Sequence, residues 1–350
     1  MVRSQSTIAT PPGATIREQL TDRGMSQKEF ASRMDMSQKH ISRLINGEVQ
    51  LTPETALKLE MVLGVPAGFW NNLEAIYREK IVKVEAENDM DYDLMIMNRF
   101  PYGEMARLEW VPDTRIAKER VVYLRKYFEV AKLSLLDNKE LNSIACRRLA
   151  ITEKSDLALM AWAQEAKRKA RDISTSPLNI KGLLEYVPDL RNDTLLRPDE
   201  FCPRIKSDFA DRGIALVFLP NLKGALVRGA SFTDGTKIVM GITLAGGDAD
   251  RFWFSLFHEL AHVVLGHVGR PDGTSQEDEK AADKWSEDAL ISADAFEVFK
   301  ANMDYSEKSI INFANAQGIA TGIVVGRMQK EGLIKHNAMN ELKTKYDIAG

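Results

Sequence analysis

The chain is poor in the residues that staple small folds. Two cysteines in 350 residues, Cys146 and Cys202, form neither a disulfide framework nor a CxxC zinc motif, and a reducing, cytoplasmic setting is the expectation. No stretch approaches the ~18 uncharged apolar residues of a membrane span. The opening segment MVRSQSTIATPPGAT lacks the apolar run of a signal peptide. Excess positive charge is also missing: 47 Lys and Arg stand against 50 Asp and Glu, a formal net charge of −3. No global field draws such a chain to nucleic acid, so any DNA contact must be built locally. Histidine is scarce at five residues, yet three of them, His258, His262 and His267, fall close together. The remainder, 44% hydrophobic and 28% charged, is ordinary globular composition, and the length suggests two or three domains.

Residues 1–12, with Ser, Thr, Gln and two prolines, read as a flexible tail. From Thr15 the chain breaks into short helices. Gly24 stops the first, Ser26 and Ser37 can N-cap the second and third, and Gly47 follows the third as a C′ glycine would. Thr52-Pro53 opens a fourth with a cap and an N1 proline, and Gly64 ends it. Phe30, Ala31 and Met34, then Ile41, Leu44 and Ile45, then Ala56, Leu57 and Met61 recur at helical spacing and suit a small bundle core. The polar face of the third helix carries amides, hydroxyls and cations suited to base edges and phosphates. Gln27, Ser37, Gln38, Lys39, Ser42, Arg43 and Asn46 are the candidate DNA contacts. A single copy reaches two half-sites only as a dimer, and the helical run from Phe69 through Lys83 could supply the contact.

Residues 88–114, with Pro101, Gly103 and Pro112, read as a linker. From about 115 to 171 three helical stretches follow, one to Lys132, one opened by Asp137 and one by Thr152, with 14 Lys/Arg against 7 Asp/Glu. A solvated helical surface with i,i+4 pairs is the plainer reading of that charge; a contact to DNA backbone or an acidic partner is the other. Met95, Met97 and Trp162 read as core. Then the period changes. Ile214 to Leu219, Ala225 to Phe232 and Lys237 to Ile242 are β-rich, with Asp234-Gly235 as a hairpin turn, so an antiparallel sheet is expected.

The segment RFWFSLFHELAHVVLGH contains His258-Glu259-x-x-His262. On a helix the i and i+4 imidazoles share one face and can share a cation, while Glu259 flanks that face and can reach a water. Zinc lowers the pKa of a bound water toward ~7, and Glu259 would accept its proton as general base. Other divalent ions also suit histidine and carboxylate donors. One helix cannot wrap a tetrahedral ion, so a third ligand must come from elsewhere. Glu279 would complete a His₂Glu set, with Asp283 four residues on to hold a histidine ring nitrogen. Glu277 competes as third ligand but has no carboxylate four residues on. His267 stands five residues after His262, one short of the register in which a third histidine ligates, and reads as a supporting residue behind the ligands or a surface group.

Two resemblances follow from these motifs. Residues 15–70, above all MSQKEFASRMDMSQKHISRLINGEVQLTPETALKLEMVLGVPAGFWNNLE, resemble the Xre/Cro-type helix-turn-helix, particularly its HigA-type antitoxin version. From about residue 178 the chain resembles the ImmA/IrrE family of metallopeptidases, through HELAH and the stretch Glu279-Lys-Ala-Ala282-Asp283-Lys-Trp285. The family's Leu-Leu-Met-Pro is replaced by Ala289-Leu290-Ile291-Ser292, which bears on substrate preference. The resemblances imply a multidomain chain. A tail (1–12) precedes an all-α helix-turn-helix domain (13–87) and a helical linker region (88–175). An α+β zincin-like metallopeptidase domain with a small antiparallel sheet (176–300) follows, then a second helix-turn-helix-like hairpin (301–350), read as a docking surface or core through Ile323, Val324 and Val325.

They further imply an operator-binding homodimer whose zinc-dependent endopeptidase, with His258, His262 and Glu279 as ligands and Glu259 as base, cleaves a helix-turn-helix repressor or its own linker near 88–114. The alternative is a non-proteolytic transcription factor or antitoxin whose zinc domain is structural, senses a ligand or binds a toxin. No membrane partner is expected.

Overall fold

The computed structural model describes residues 2–4, 7–137, 153–225, 227–243, 247–270 and 273–346. Cys146, Thr152 and the helix expected to open at Asp137 lie outside these residues, apart from Asp137 itself. The chain divides into two compact units, Met1–Met95 and Ile96–Gly350. No helix among the described residues is long and apolar enough to cross a membrane.

The first unit comprises β1 (Val2–Arg3), β2 (Ile8–Ala9), α1 (Gly13–Asp22), α2 (Gln27–Arg33), α3 (Gln38–Asn46), α4 (Pro53–Leu63) and most of α5 (Ala67–Met97). The punctuation read from sequence is what closes the helices. Ser26, Ser37 and Thr52 accept from the backbone N–H groups of Glu29, His40 and Thr55, each cap worth ~1 kcal/mol. Gly47 and Gly64 end α3 and α4 in the left-handed conformation. Phe30, Ala31, Met34, Ile41, Leu44 and Ile45 form the core with Ile16, Leu59, Leu63 and Trp70.

Leu57 and Met61 are not in that core. They are 55% and 80% exposed, because α4 packs through Thr55, Ala56, Leu59 and Leu63. The N-terminal tail is not loose either. β1 and β2 pair antiparallel, the Ser4 and Thr7 hydroxyls donate to the Glu87 carboxylate on α5, and Ala9 is buried against Tyr77 and Val84. Hydroxyl side chains that resemble disorder in sequence become hydrogen-bond donors once a long helix stands beside them.

The division between the units falls within 88–114, but much of that span is helical. α5 continues unbroken to Met97, and α6 (Tyr102–Arg107) follows after four residues. Met97 is buried, but Met95 is 61% exposed.

The second unit continues through α7 (Ala117–Phe128), a 3-10 turn at Leu133–Asp137, α8 (Glu153–Ala170), α9 (Ile180–Asn192), a 3-10 turn at Asp193–Leu195 and α10 (Pro198–Ala210). The strands β3 (Ile214–Leu219), β4 (Gly229–Asp234) and β5 (Lys237–Thr243) come next, then α11 (Ala249–Val264), α12 (Gln276–Leu290), α13 (Ala293–Ala301), α14 (Glu307–Gln317) and α15 (Thr321–Lys330).

The sheet is mixed, not antiparallel. Its order is β3-β5-β4, with β5 antiparallel to β4 across the expected hairpin and parallel to β3. Alternation gives each face its own partner. Ile238, Met240 and Ile242 join the core containing Trp253, Leu256 and Leu260 of α11. On the other face Gly241 lies so close to Trp162 of α8 that a Cβ would stand 2.6 Å from the ring.

The basic run at the end of α8 is largely paired inside the unit. Lys167 meets Asp234 at 3.0 Å, Arg168 meets Glu165 at 3.1 Å, and Arg171 holds Glu129. The apolar face of the C-terminal hairpin is core. Ile323, Val324, Val325 and Met328 of α15 are buried in the cluster that contains α11, and the buried Asp250 at the start of α11 pairs with Lys343 at 2.8 Å.

The tightest constraint in the first unit is Gly13, where a Cβ would stand 2.0 Å from the Ile45 carbonyl oxygen. No rotamer relieves a clash with backbone, so Gly13→Ala is expected to cost ~1–3 kcal/mol or more, read as a lower urea midpoint. Gly68→Ala on α5, with nothing within 4 Å, is the control and is expected to be neutral or slightly stabilising.

Candidate functional site

α11 is apolar on nearly every side because the sheet, α12 and α15 all pack against it. His258, Glu259 and His262 are the polar exceptions in its second half. α12 lies alongside, opened by a capping box in which Ser275 accepts from the Asp278 N–H and Asp278 accepts from the Ser275 N–H. This start sets Glu279 facing α11. The ligand atoms of His258, His262 and Glu279 all lie within 4.8 Å of one another. His258 Nε2 is 3.1 Å from His262 Nε2 and 3.4 Å from a Glu279 oxygen, while His262 Nε2 is 3.6 Å from the other. Glu277 is exposed and takes no part.

The outer nitrogens are also engaged. His258 Nδ1–H donates to Asp283 Oδ1 at 2.9 Å, which turns its Nε2 toward His262 and Glu279. His262 Nδ1 is 3.0 Å from His267 Nδ1, and His267 Nε2 is 3.2 Å from Asp278 Oδ1. Two imidazole nitrogens and a carboxylate crowded at these distances repel one another unless a proton or a cation stands among them, so the donor set fits a divalent ion. Electrostatics bear the same mark. Burial lowers the His258 imidazole, but hydrogen bonds to Asp283 and Glu279 outweigh it and carry the pKa to about 9. Burial and the neighbouring His258 push His262 down to about 4.

Glu259 sits beside this cluster, buried, and burial raises its carboxyl to about 7 against the pull of His258. Room for it comes from a residue the sequence reading passed over. A Cβ on Gly229 would stand 2.6 Å from Glu259 Cγ and 3.1 Å from Oε1. An isolated glycine in a strand-like run was the available signal. Asp278 was also passed over, although Ser275-x-x-Asp278 has the spacing of a capping box.

In the first unit, Ser37, Gln38, Lys39, Ser42, Arg43 and Asn46 form the exposed side of α3, opposite Ile41, Leu44 and Ile45. Gln27 is exposed at the first turn of α2. Arg43 pairs loosely with Glu48 at 3.6 Å, leaving a donor-rich helix for a major groove and a helix N-terminus suited to a phosphate.

The helix-turn-helix family matches residues 16–70. An uncharacterized HTH-type transcriptional regulator, YddM of Escherichia coli (strain K12), is 38% identical over 80 residues, which are 23% of this chain and 81% of the relative. The chain belongs to the helix-turn-helix family of DNA-binding transcriptional regulators.

His258 holds a proton with a pKa of about 9, so a divalent ion taken up by this donor set would have to displace it. Zinc affinity is expected to rise about tenfold per pH unit between roughly pH 7.5 and 8.5, with about one proton released per ion. Titration calorimetry in buffers of different ionisation enthalpy reads both, and pH-independent binding without proton release would contradict the assignment.

Proposed function

We propose that this regulator couples operator binding by its first unit to a zinc-dependent endopeptidase centre in its second. The observation that carries the reading is Glu259: a buried carboxylate beside three convergent donors, outside the donor set, with a pKa of about 7. A structural cation site has no use for such a group, whereas hydrolysis needs a base whose pKa lies near the working pH. His258, His262 and Glu279 would hold Zn²⁺ or another divalent ion, and Asp283 would keep His258 in the ligating tautomer. The bound ion would supply Lewis-acid polarisation of a water and of the scissile carbonyl. Glu259 then takes up a proton from the attacking water and returns it to the leaving amine. β4 is the edge of the sheet beside Glu259, and an extended peptide could add to it as a further strand.

A separate helix-turn-helix repressor is the favoured substrate. The chain's own residues 88–114 are the poorer one, since α5 and α6 occupy much of that span and leave only the short stretches 98–101 and 108–114 outside helices. On DNA, a homodimer would set two α3 helices one helical turn apart, with Gln27, Ser37, Gln38, Lys39, Ser42, Arg43 and Asn46 as contacts. The second reading is a non-proteolytic transcription factor or antitoxin, its cation domain structural, ligand-sensing or toxin-binding. The E. coli relative, matched over 80 residues that make up 81% of its length, bears on the DNA-binding role that both readings share.

Zinc-loaded wild type is expected to cleave its repressor at a single site, with Glu259→Gln slower by at least ~10²-fold at equal zinc content, followed by mass spectrometry. Equal operator repression by both, with no cleavage by either, would favour the second reading. On DNA, Gln38→Ala and Arg43→Ala are each expected to cost ~1–3 kcal/mol on the operator. Lys39→Ala should weaken all sequences alike and lower the salt slope by about 1.

A further inference from the structure

His267 cannot be a third ligand at its spacing, yet it is 95% buried, with only 5% of its surface exposed, and both its ring nitrogens have partners. The backbone explains how it arrives there. α11 ends at Val264, and Gly266 follows with φ +70. The Gly266 N–H donates to the Val263 carbonyl at 3.1 Å, and the His267 N–H donates to the His262 carbonyl at 2.9 Å. These are the paired 5→2 and 6→1 bonds of a Schellman motif, which brings the residue two beyond the cap back over the third residue from the helix end. Those two positions usually share an apolar contact. Here they are His267 and His262.

The direction of each hydrogen bond can be worked out from the far end. Asp278 Oδ2 accepts from the Ser275 N–H, and both Asp278 oxygens accept from Arg270. A carboxylate so placed is an acceptor only, so His267 Nε2 must carry the proton it shares with Asp278. Neutral His267 then has a bare Nδ1, which can only accept, and His262 Nδ1 must donate to it. That leaves the His262 lone pair on Nε2, the atom facing His258 and Glu279.

We propose that this Schellman turn is a positioning device for the cation site: His267, anchored by the capping-box residue Asp278, fixes the ring angle and the ligating tautomer of His262. His267 and Asp278 are positioning residues and touch no cation themselves. The device also makes one helix start serve two purposes, because consecutive residues of α12 supply the anchor, Asp278, and the third ligand, Glu279. The inference rests on the reading of His258, His262 and Glu279 as a cation site.

Zinc affinity of the full-length chain, measured by competition with a chromophoric chelator, tests it without reference to any substrate. His267→Leu removes the acceptor. His267→Gln places its amide at the Nε2 end of the ring, out of reach of His262, whereas His267→Asn places an acceptor where Nδ1 stands. The leucine and glutamine variants are expected to bind zinc ~10–100-fold more weakly, and the asparagine variant within about threefold of wild type. Circular dichroism and melting identify any variant that fails to fold. If leucine does, the asparagine–glutamine pair decides alone. Unaltered affinity in a folded His267→Leu or His267→Gln, or an asparagine variant as weak as glutamine, overturns the proposal. Tight wild-type binding with those results overturns this inference only, whereas no zinc uptake by wild type overturns the cation site together with it.

Discussion

The second unit is organised around the meeting of two imidazole rings and a carboxylate between α11 and α12. Such a meeting is unfavourable by itself, and the rest of the unit holds it in place. The sheet and α15 pack against α11, burying Glu259 and His262 and leaving His258 partly exposed. Asp283 and His267 occupy the outer ring nitrogens, so neither histidine can turn away. Lys330 of α15 lies 3.7 Å from Asp283 and 2.8 Å from Glu287, tying the end of the C-terminal hairpin to the support of His258. The crowding shows in the proton affinities: against the pull of burial, hydrogen bonds to Asp283 and Glu279 raise His258, while burial lowers His262 and raises Glu259.

The first unit shows the opposite economy. Its helices are short, each is closed by its own cap, and its core is a small set of aliphatic and aromatic side chains around Phe30 and Trp70. Nothing polar is buried on α3 to make its outer face work. The donors simply stand in solvent, ready for the groove. The start of α1 lies close against the backbone at the end of α3, at Gly13 and Ile45.

Local chemistry was legible in the residues. Caps at Ser26, Ser37 and Thr52, the glycine stops at Gly47 and Gly64, the hairpin at Asp234-Gly235 and the i,i+4 histidines each depend on a few neighbouring side chains, and the structure places each as its spacing indicated. The failures share one cause. The parallel partner of β5, the docked N-terminal ribbon and the continuation of α5 through 88–97 are all set by what lies across the fold, and hydrophobic period does not report that. Leu57 and Met61 illustrate the limit within one helix: they are as apolar as their neighbours, and only packing decided which stripe of α4 turned inward.

The sequence by itself determined which residues could do chemistry: two histidines and a glutamate on one helix, acidic candidates on the next, and a polar recognition face after a serine cap. Choosing Glu279 over Glu277, seating Glu259 against Gly229, and turning His267 from a residue out of register into the partner of His262 were decisions of the tertiary structure. Helical spacing constrains atoms a turn apart on one element. The distances that let nitrogen, oxygen and hydrogen meet within 3 to 4 Å across elements arise only when separate backbones pack.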